Sequence, residues 1–221
     1  MKRFNSLNKI VQWVISILFG IILIFILSVW IKAVSESKIW ILLIIIIVPV
    51  IQFLITPLFT LIKFYHYYSP MVVSFGNNKR VIDLHNGTSF DYLLEMSRIK
   101  AGIKWKNKML FHYLNALLKI ISQIENGDMA NSTIIRGSSY FLSERSAKKF
   151  GFSVNKTSMI EKFNIALNYF DLVWMYSLTN GKITLPNLTN IKTVRITGAE
   201  LIKSKEKILG LTNRLDNNAS R

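Results

Sequence analysis

Cysteine is absent from the 221-residue chain, so disulfide cross-links, thiol nucleophiles and thiolate metal sites are excluded. Histidine is scarce: His66, His85 and His112 stand far apart and show no metal-ligand spacing. Acid is scarce too, with 12 Asp and Glu against 28 Lys and Arg and a formal net charge of +16. No Gly-rich phosphate loop of recognised form occurs, and Gly137-Ser138-Ser139-Tyr140 lacks the flanking glycines of a nucleophile elbow. Neither a metal nor a cofactor is therefore expected. Charge of either sign is missing altogether from residues 10–31 and 39–62.

Those two uncharged runs dominate the chain. Each exceeds the ~20 residues an α-helix needs to cross ~30 Å of hydrocarbon. The segment from Leu42 to Val48 offers no polar side at all, which a soluble core helix would need. The reading is a two-helix transmembrane hairpin, helices at about 10–32 and 39–63, after a cytoplasmic segment 1–9. A cleaved secretory signal is the rival, but the first run is too long for a signal core of about 7 to 15 residues. Trp13 and Trp30 near the ends of the first run, Trp40 at the start of the second and Tyr65, Tyr67 and Tyr68 after it fit interfacial belts. Lys2, Arg3 and Lys9 before the hairpin and Lys63, Lys79 and Arg80 after it outnumber Lys32 and Lys38 in the connector. The bias places both termini in the cytoplasm and makes this a multi-pass integral membrane protein.

Mildly polar residues recur every four positions in both runs. Gln12, Ser16 and Gly20 line one face of the first helix, and Gln52, Thr56 and Thr60 one face of the second. Folded about residues 35 and 36, the stripes oppose each other and can form a helix-hairpin seam of small and hydrogen-bonding groups. No Asp, Glu, Lys or Arg lies in either span, so an ion or proton path has no candidate. Pro49 and Pro57 should kink the second helix.

The remainder reads as one cytoplasmic domain, residues 70–212, with a flexible tail at 213–221. Residues 64–221 hold 22 Lys and Arg against 11 Asp and Glu. Strands are expected at 72–75, 80–84, 133–136, 183–185 and 192–196, with Gly76-Asn77-Asn78-Lys79 turning between the first two. Helices are expected where capping boxes stand, Thr88 with Asp91, Ser158 with Glu161 and Thr197 with Glu200. Another follows Ser143, and a long one carries Leu110, Tyr113, Leu114, Leu117, Ile121 and Ile124 at helical spacing. The fold class is α+β, a small sheet with four to five helices. The run 158–178 is apolar on all but a narrow face of Glu161, Asn164, Asn168 and Asp171, which marks a central core helix or a subunit interface.

Three places can carry function. Arg98, Lys100, Lys104, Lys106 and Lys108, with Trp105 among them, fit a segment lying on anionic headgroups, each cation contributing ~1 kcal/mol. Asp83 and His85 gather at a strand-to-helix turn, and Arg136, Ser138, Ser139, Glu144 and Arg145 follow a later strand. Asp83, His85, Arg136 and Glu144 are the candidate catalytic groups if they share a cleft, and turn, cap and salt-bridge residues if they do not. The leading expectation is a membrane-anchored basic domain that binds anionic lipid or a protein partner, a second copy included, with no reaction assigned. The alternative is a membrane-associated enzyme acting on a lipid-linked or phosphorylated substrate. Nucleic acid is not the expected partner, because charge alone speaks for it.

Overall fold

The computed structural model describes residues 2–76, 80–138, 144–188 and 191–219. A short helix, α1 (Lys2–Asn5), precedes two apolar helices, α2 (Lys9–Glu36) and α3 (Ile44–Leu61), with a 3-10 segment Lys38–Leu43 leading into α3. Both are long and apolar enough to cross a membrane, and only 11% of the most apolar stretch of each is buried within the fold. Asn8 caps α2 by accepting the Ile10 N–H at 2.9 Å. Pro49 and Pro57 both lie inside the uninterrupted α3. The helix ends at Leu61, Lys63 reverses the chain with a positive φ of 59°, and Tyr65–Ser69 is strand β1. The chain thus joins the sheet from Tyr65 onward. Tyr65, Tyr67 and Tyr68 stand on a sheet strand, as their strong β preference allows.

The other strands are β2 (Val72–Phe75), β3 (Val81–Asn86), β4 (Ile134–Ser138), β5 (Ser153–Lys156) and β6 (Lys192–Thr197). They form one six-stranded sheet in the order β1-β2-β3-β4-β6-β5. Only the β3–β4 pair is parallel, with Asp83 opposite Arg136. A parallel return needs a crossover of a dozen residues or more, and α4 (Ser89–Glu95) and α5 (Ile103–Glu125) supply it. Both the α4 and later capping boxes form as the sequence indicates. The turn residues Asn77, Asn78 and Lys79, and Ser139 and the cap position Ser143, lie outside the described residues.

Strand alternation decides the core. Ile82, Leu84, Ile135, Val194 and Ile196 face one side and meet the apolar stripe of α5, where Leu114, Leu117, Ile120 and Ile121 are at most 1% exposed. The central helix is therefore α5. After it come α6 (Glu144–Lys149), α7 (Met159–Leu167), α8 (Tyr169–Asn180), α9 (Gly198–Lys203) and α10 (Lys205–Ala219). Among the described residues the domain thus has seven helices where four to five are expected, because the 158–178 run divides at Asn168 and the last helix at Ser204. Residues 213–219 extend α10 and are not a loose tail, since Leu211 and Leu215 pack against the core. Residues 183–185 form no strand, and β5 is an addition.

Candidate functional site

One of the places where the hairpin and the domain meet is an aromatic cluster. Phe90, on α4, is 6% exposed and lies 5.7 Å from Phe4, 6.1 Å from Phe19 on α2 and 5.6 Å from Phe53 on α3, all edge-on. Phe19 and Phe53 stack on each other at 5.8 Å across the hairpin. Beneath this cluster Asp91 is fully buried. Its carboxylate accepts bonds from the Thr88 N–H at 2.8 Å and the Tyr67 hydroxyl at 3.1 Å. Burial pushes the Asp91 carboxyl up to about 6 even against these bonds, which favour the charged form.

The seam expected between α2 and α3 is only partly present. Gln12, Ser16 and Thr56 are buried, but their hydrogen bonds do not cross between the two helices. Gln12 donates to the carbonyls of Phe4 and Leu7, and Ser16 to that of Gln12. Thr56 donates to Thr88 of the domain at 2.9 Å, Thr60 to the Thr56 carbonyl, and Gln52 to Asn168 at 2.7 Å. Gly20 has open space where a Cβ would sit, so it permits no close approach. The helices meet through aromatic and aliphatic side chains, and the polar stripe of α3 turns to the domain.

Asn168 explains the break between α7 and α8. Its amide N–H₂ bonds back to the Asn164 carbonyl at 2.8 Å while its oxygen takes the bond from Gln52. The resulting helix pair is inside out. Its polar stripe, Glu161, Asn164, Asn168 and Asp171, turns toward the sheet. Part of its apolar surface turns outward, with Met159 79% exposed, Ile160 83%, Phe163 67% and Trp174 58%, while Leu172 and Met175 of α8 are buried. The run is thus neither the central core helix nor occupied as an interface within the fold. Ile183 and Leu185 beyond α8 are exposed too, and the Gly102 N–H before α5 bonds the Leu178 carbonyl of α8 at 2.7 Å.

Between the inward stripe and the outer face of the sheet runs a groove with two communicating chambers, of about 350 Å³ and 110 Å³. The larger begins at Gln52 and Phe59 of α3 and has a wall of Phe64, Tyr65 and Phe75. His85 stacks flat on Phe75 at 4.3 Å. Burial holds the His85 imidazole below its ordinary pKa, against the pull of Asp83 and with the help of Arg136. The smaller chamber ends on Asp83 and Arg136, joined by two hydrogen bonds, the one from Nη2 measuring 2.7 Å. His85, Ser138, Asn164 and Ile165 line both chambers. A further cavity of about 440 Å³, lined by His66, Ser74, Lys119 and Gln123, lies on the α5 side and holds none of the candidate residues but Asp83 at its rim.

Three of the four candidate catalytic residues, Asp83, His85 and Arg136, therefore share one groove. Glu144 does not. It bonds Lys192 at 2.6 Å and Lys148 at 2.9 Å on an exposed edge, and these cations hold its carboxyl well below the usual range. The groove residues that sequence reasoning missed are Asn86, Glu161, Asn164 and Thr193. For Glu161 and Asn164 the signal was the polar stripe at 161, 164, 168 and 171; Asn86 and Thr193, on strands, had none.

The basic segment is also divided. Arg98, Lys100, Lys104 and Lys106 are exposed, and Lys108 lies 4.7 Å over the Phe111 ring. Trp105 is no surface anchor. It is 1% exposed and stacks on Tyr92 at 5.6 Å, because its position on α5 faces the Met71, Met96 and Met109 cluster. No known protein family, no curated protein and no solved structure matches this chain.

Proposed function

We propose that this chain is an integral membrane protein of two spans, both termini cytoplasmic, whose basic domain is seated in the anionic inner surface of the bilayer. The observation that carries the reading is the inside-out pair α7 and α8. A polar stripe turned inward and exposed apolar side chains turned outward suit lipid, and the Gln52–Asn168 bond holds the pair against α3 by its polar stripe. The depth agrees. Trp13 and Trp30 lie about 25 Å apart along α2 and suit the two interfaces, and Phe19 is about 9 Å inward of Trp13. Phe90 touches Phe19, so α4 and its neighbours reach the 5–10 Å typical of interfacial helices. Exposed Arg98, Lys100, Lys104 and Lys106 then adjoin the sunken patch, where anionic headgroups attract them. A second reading, an enzyme acting on a lipid-linked substrate, draws on the meeting of Asp83, His85 and Arg136 in one groove.

Orientation is tested in sealed vesicles of known sidedness. The chain has no cysteine, so Ser37→Cys and Lys207→Cys each provide a single thiol. A membrane-impermeant maleimide should label Ser37→Cys from the outer side and Lys207→Cys only after permeabilisation. The reverse pattern, or labelling of both from one side, overturns the topology.

A further inference from the structure

The groove is graded in chemistry along its length. At the α3 end it is aromatic, with Phe59, Phe64, Tyr65 and Phe75. At the far end it is polar, with Asp83, Arg136 and Asn164. Such a gradient matches an amphiphile lying lengthwise, its chains toward the apolar helices and its head between β3, β4 and α7. One group in the lining of the larger chamber is unsatisfied among the described residues. The Asn86 side-chain oxygen is buried without a hydrogen-bond partner, and its amide nitrogen reaches only the Met175 sulfur at 3.8 Å. A buried acceptor of this kind is unfavourable unless a donor reaches it.

Charge selects the class of head. Arg136 is already matched by Asp83, and Glu161 and Asp171 add two more acidic groups to the lining. Arg195, opposite Arg136 in the β4–β6 register, does not line either chamber. A phosphate head would meet an excess of carboxylate and is disfavoured. Hydroxyl groups suit this set, because each can donate to Asp83 or the Asn86 oxygen and accept from the Asn164 amide. A sugar face can also lie against the Phe75–His85 stack.

We propose that this groove binds a glycolipid, its uncharged, hydroxyl-rich head held between Asp83, Asn86 and Asn164 and its acyl chains leaving past Phe59 toward the bilayer. The seating described above supplies the route from the membrane, and the groove itself does not depend on it.

The test uses the full chain and a monoglucosyl diacylglycerol carrying a diazirine, with cross-linked peptides mapped by mass spectrometry. In detergent micelles and in lipid nanodiscs the probe should label residues 83–86 and 161–171. Asn164→Trp, an exposed position, and Ser138→Leu should each lower that labelling about tenfold, the equivalent of 1.4 kcal/mol. Unchanged labelling in both variants overturns the proposal, as does a diazirine phosphatidic acid that labels the same peptides as strongly. Labelling absent from micelles overturns the groove. Labelling present in micelles and absent from nanodiscs upholds the groove and overturns the seating.

Discussion

Asp91 sits where the apolar helices meet the sheet, with Tyr67 on one side, the Thr88 backbone on another and Phe90 directly above. Burial raises its carboxyl from the ordinary 3.8 to about 6, so the folded chain binds more protons than the unfolded one between those values. Stability from this group is therefore lost as pH rises across that window, by up to about 3 kcal/mol. His85, whose burial lowers its pKa, works in the opposite sense toward 6.5, so the Asp91 contribution is isolated by comparison with a variant. Chemical denaturation at pH 4, 5, 6 and 7 should show the native chain losing stability relative to Asp91→Asn as pH rises across this window. Identical slopes would show that the carboxyl is already solvated. The capping box of Thr88 and Asp91 was legible at this scale because it is local in sequence. The burial was not, because it comes from Tyr67 and the hairpin, both distant in the chain. Trp105 was misjudged for the same reason: five nearby cations say nothing about which way one ring on α5 turns.

Among elements, the joint at Phe90 sets how the hairpin and domain stand. One ring is packed by residues of α1, α2 and α3 together, so its removal leaves a cavity shared by all three. Phe90→Ala should cost about 3–5 kcal/mol in thermal or denaturant unfolding of the solubilised chain, and should expose the 61–65 linker to protease. A loss below about 1 kcal/mol would mean that the domain is held elsewhere. The α7–α8 pair shows what an amphipathic pattern can and cannot tell. Its polar stripe was plain in the sequence, but periodicity gives two faces without saying which one meets water. The break at Asn168 was also hidden, since it depends on Gln52, 116 positions earlier. By contrast α5 was readable almost throughout, because a single apolar stripe against polar flanks admits one packing.

At the scale of the whole molecule, the uncharged runs and the mixture of strands and helices were visible from composition and periodicity, and the α+β class with two apolar helices follows. The parallel pairing of β3 with β4 was not visible, although it alone brings Asp83 beside Arg136 across a separation of 53 residues. Local patterns carry no register between strands joined by a crossover. The polar stripe of α3 and the inward stripe of α7 and α8 meet only in the assembled fold, through the Gln52–Asn168 bond. Seating of the exposed apolar side chains of α7 and α8 in the inner leaflet is the central claim.

Site-directed spin labelling measures it directly, with Ile160→Cys, Phe163→Cys and Lys207→Cys as single sites in a chain that has no other thiol. In nanodiscs the nitroxides at 160 and 163 should be more accessible to oxygen than to a water-soluble nickel complex, at an interfacial depth of about 5–10 Å, and the one at 207 should show the aqueous pattern. Aqueous accessibility at all three sites would contradict the seating of the domain in the membrane.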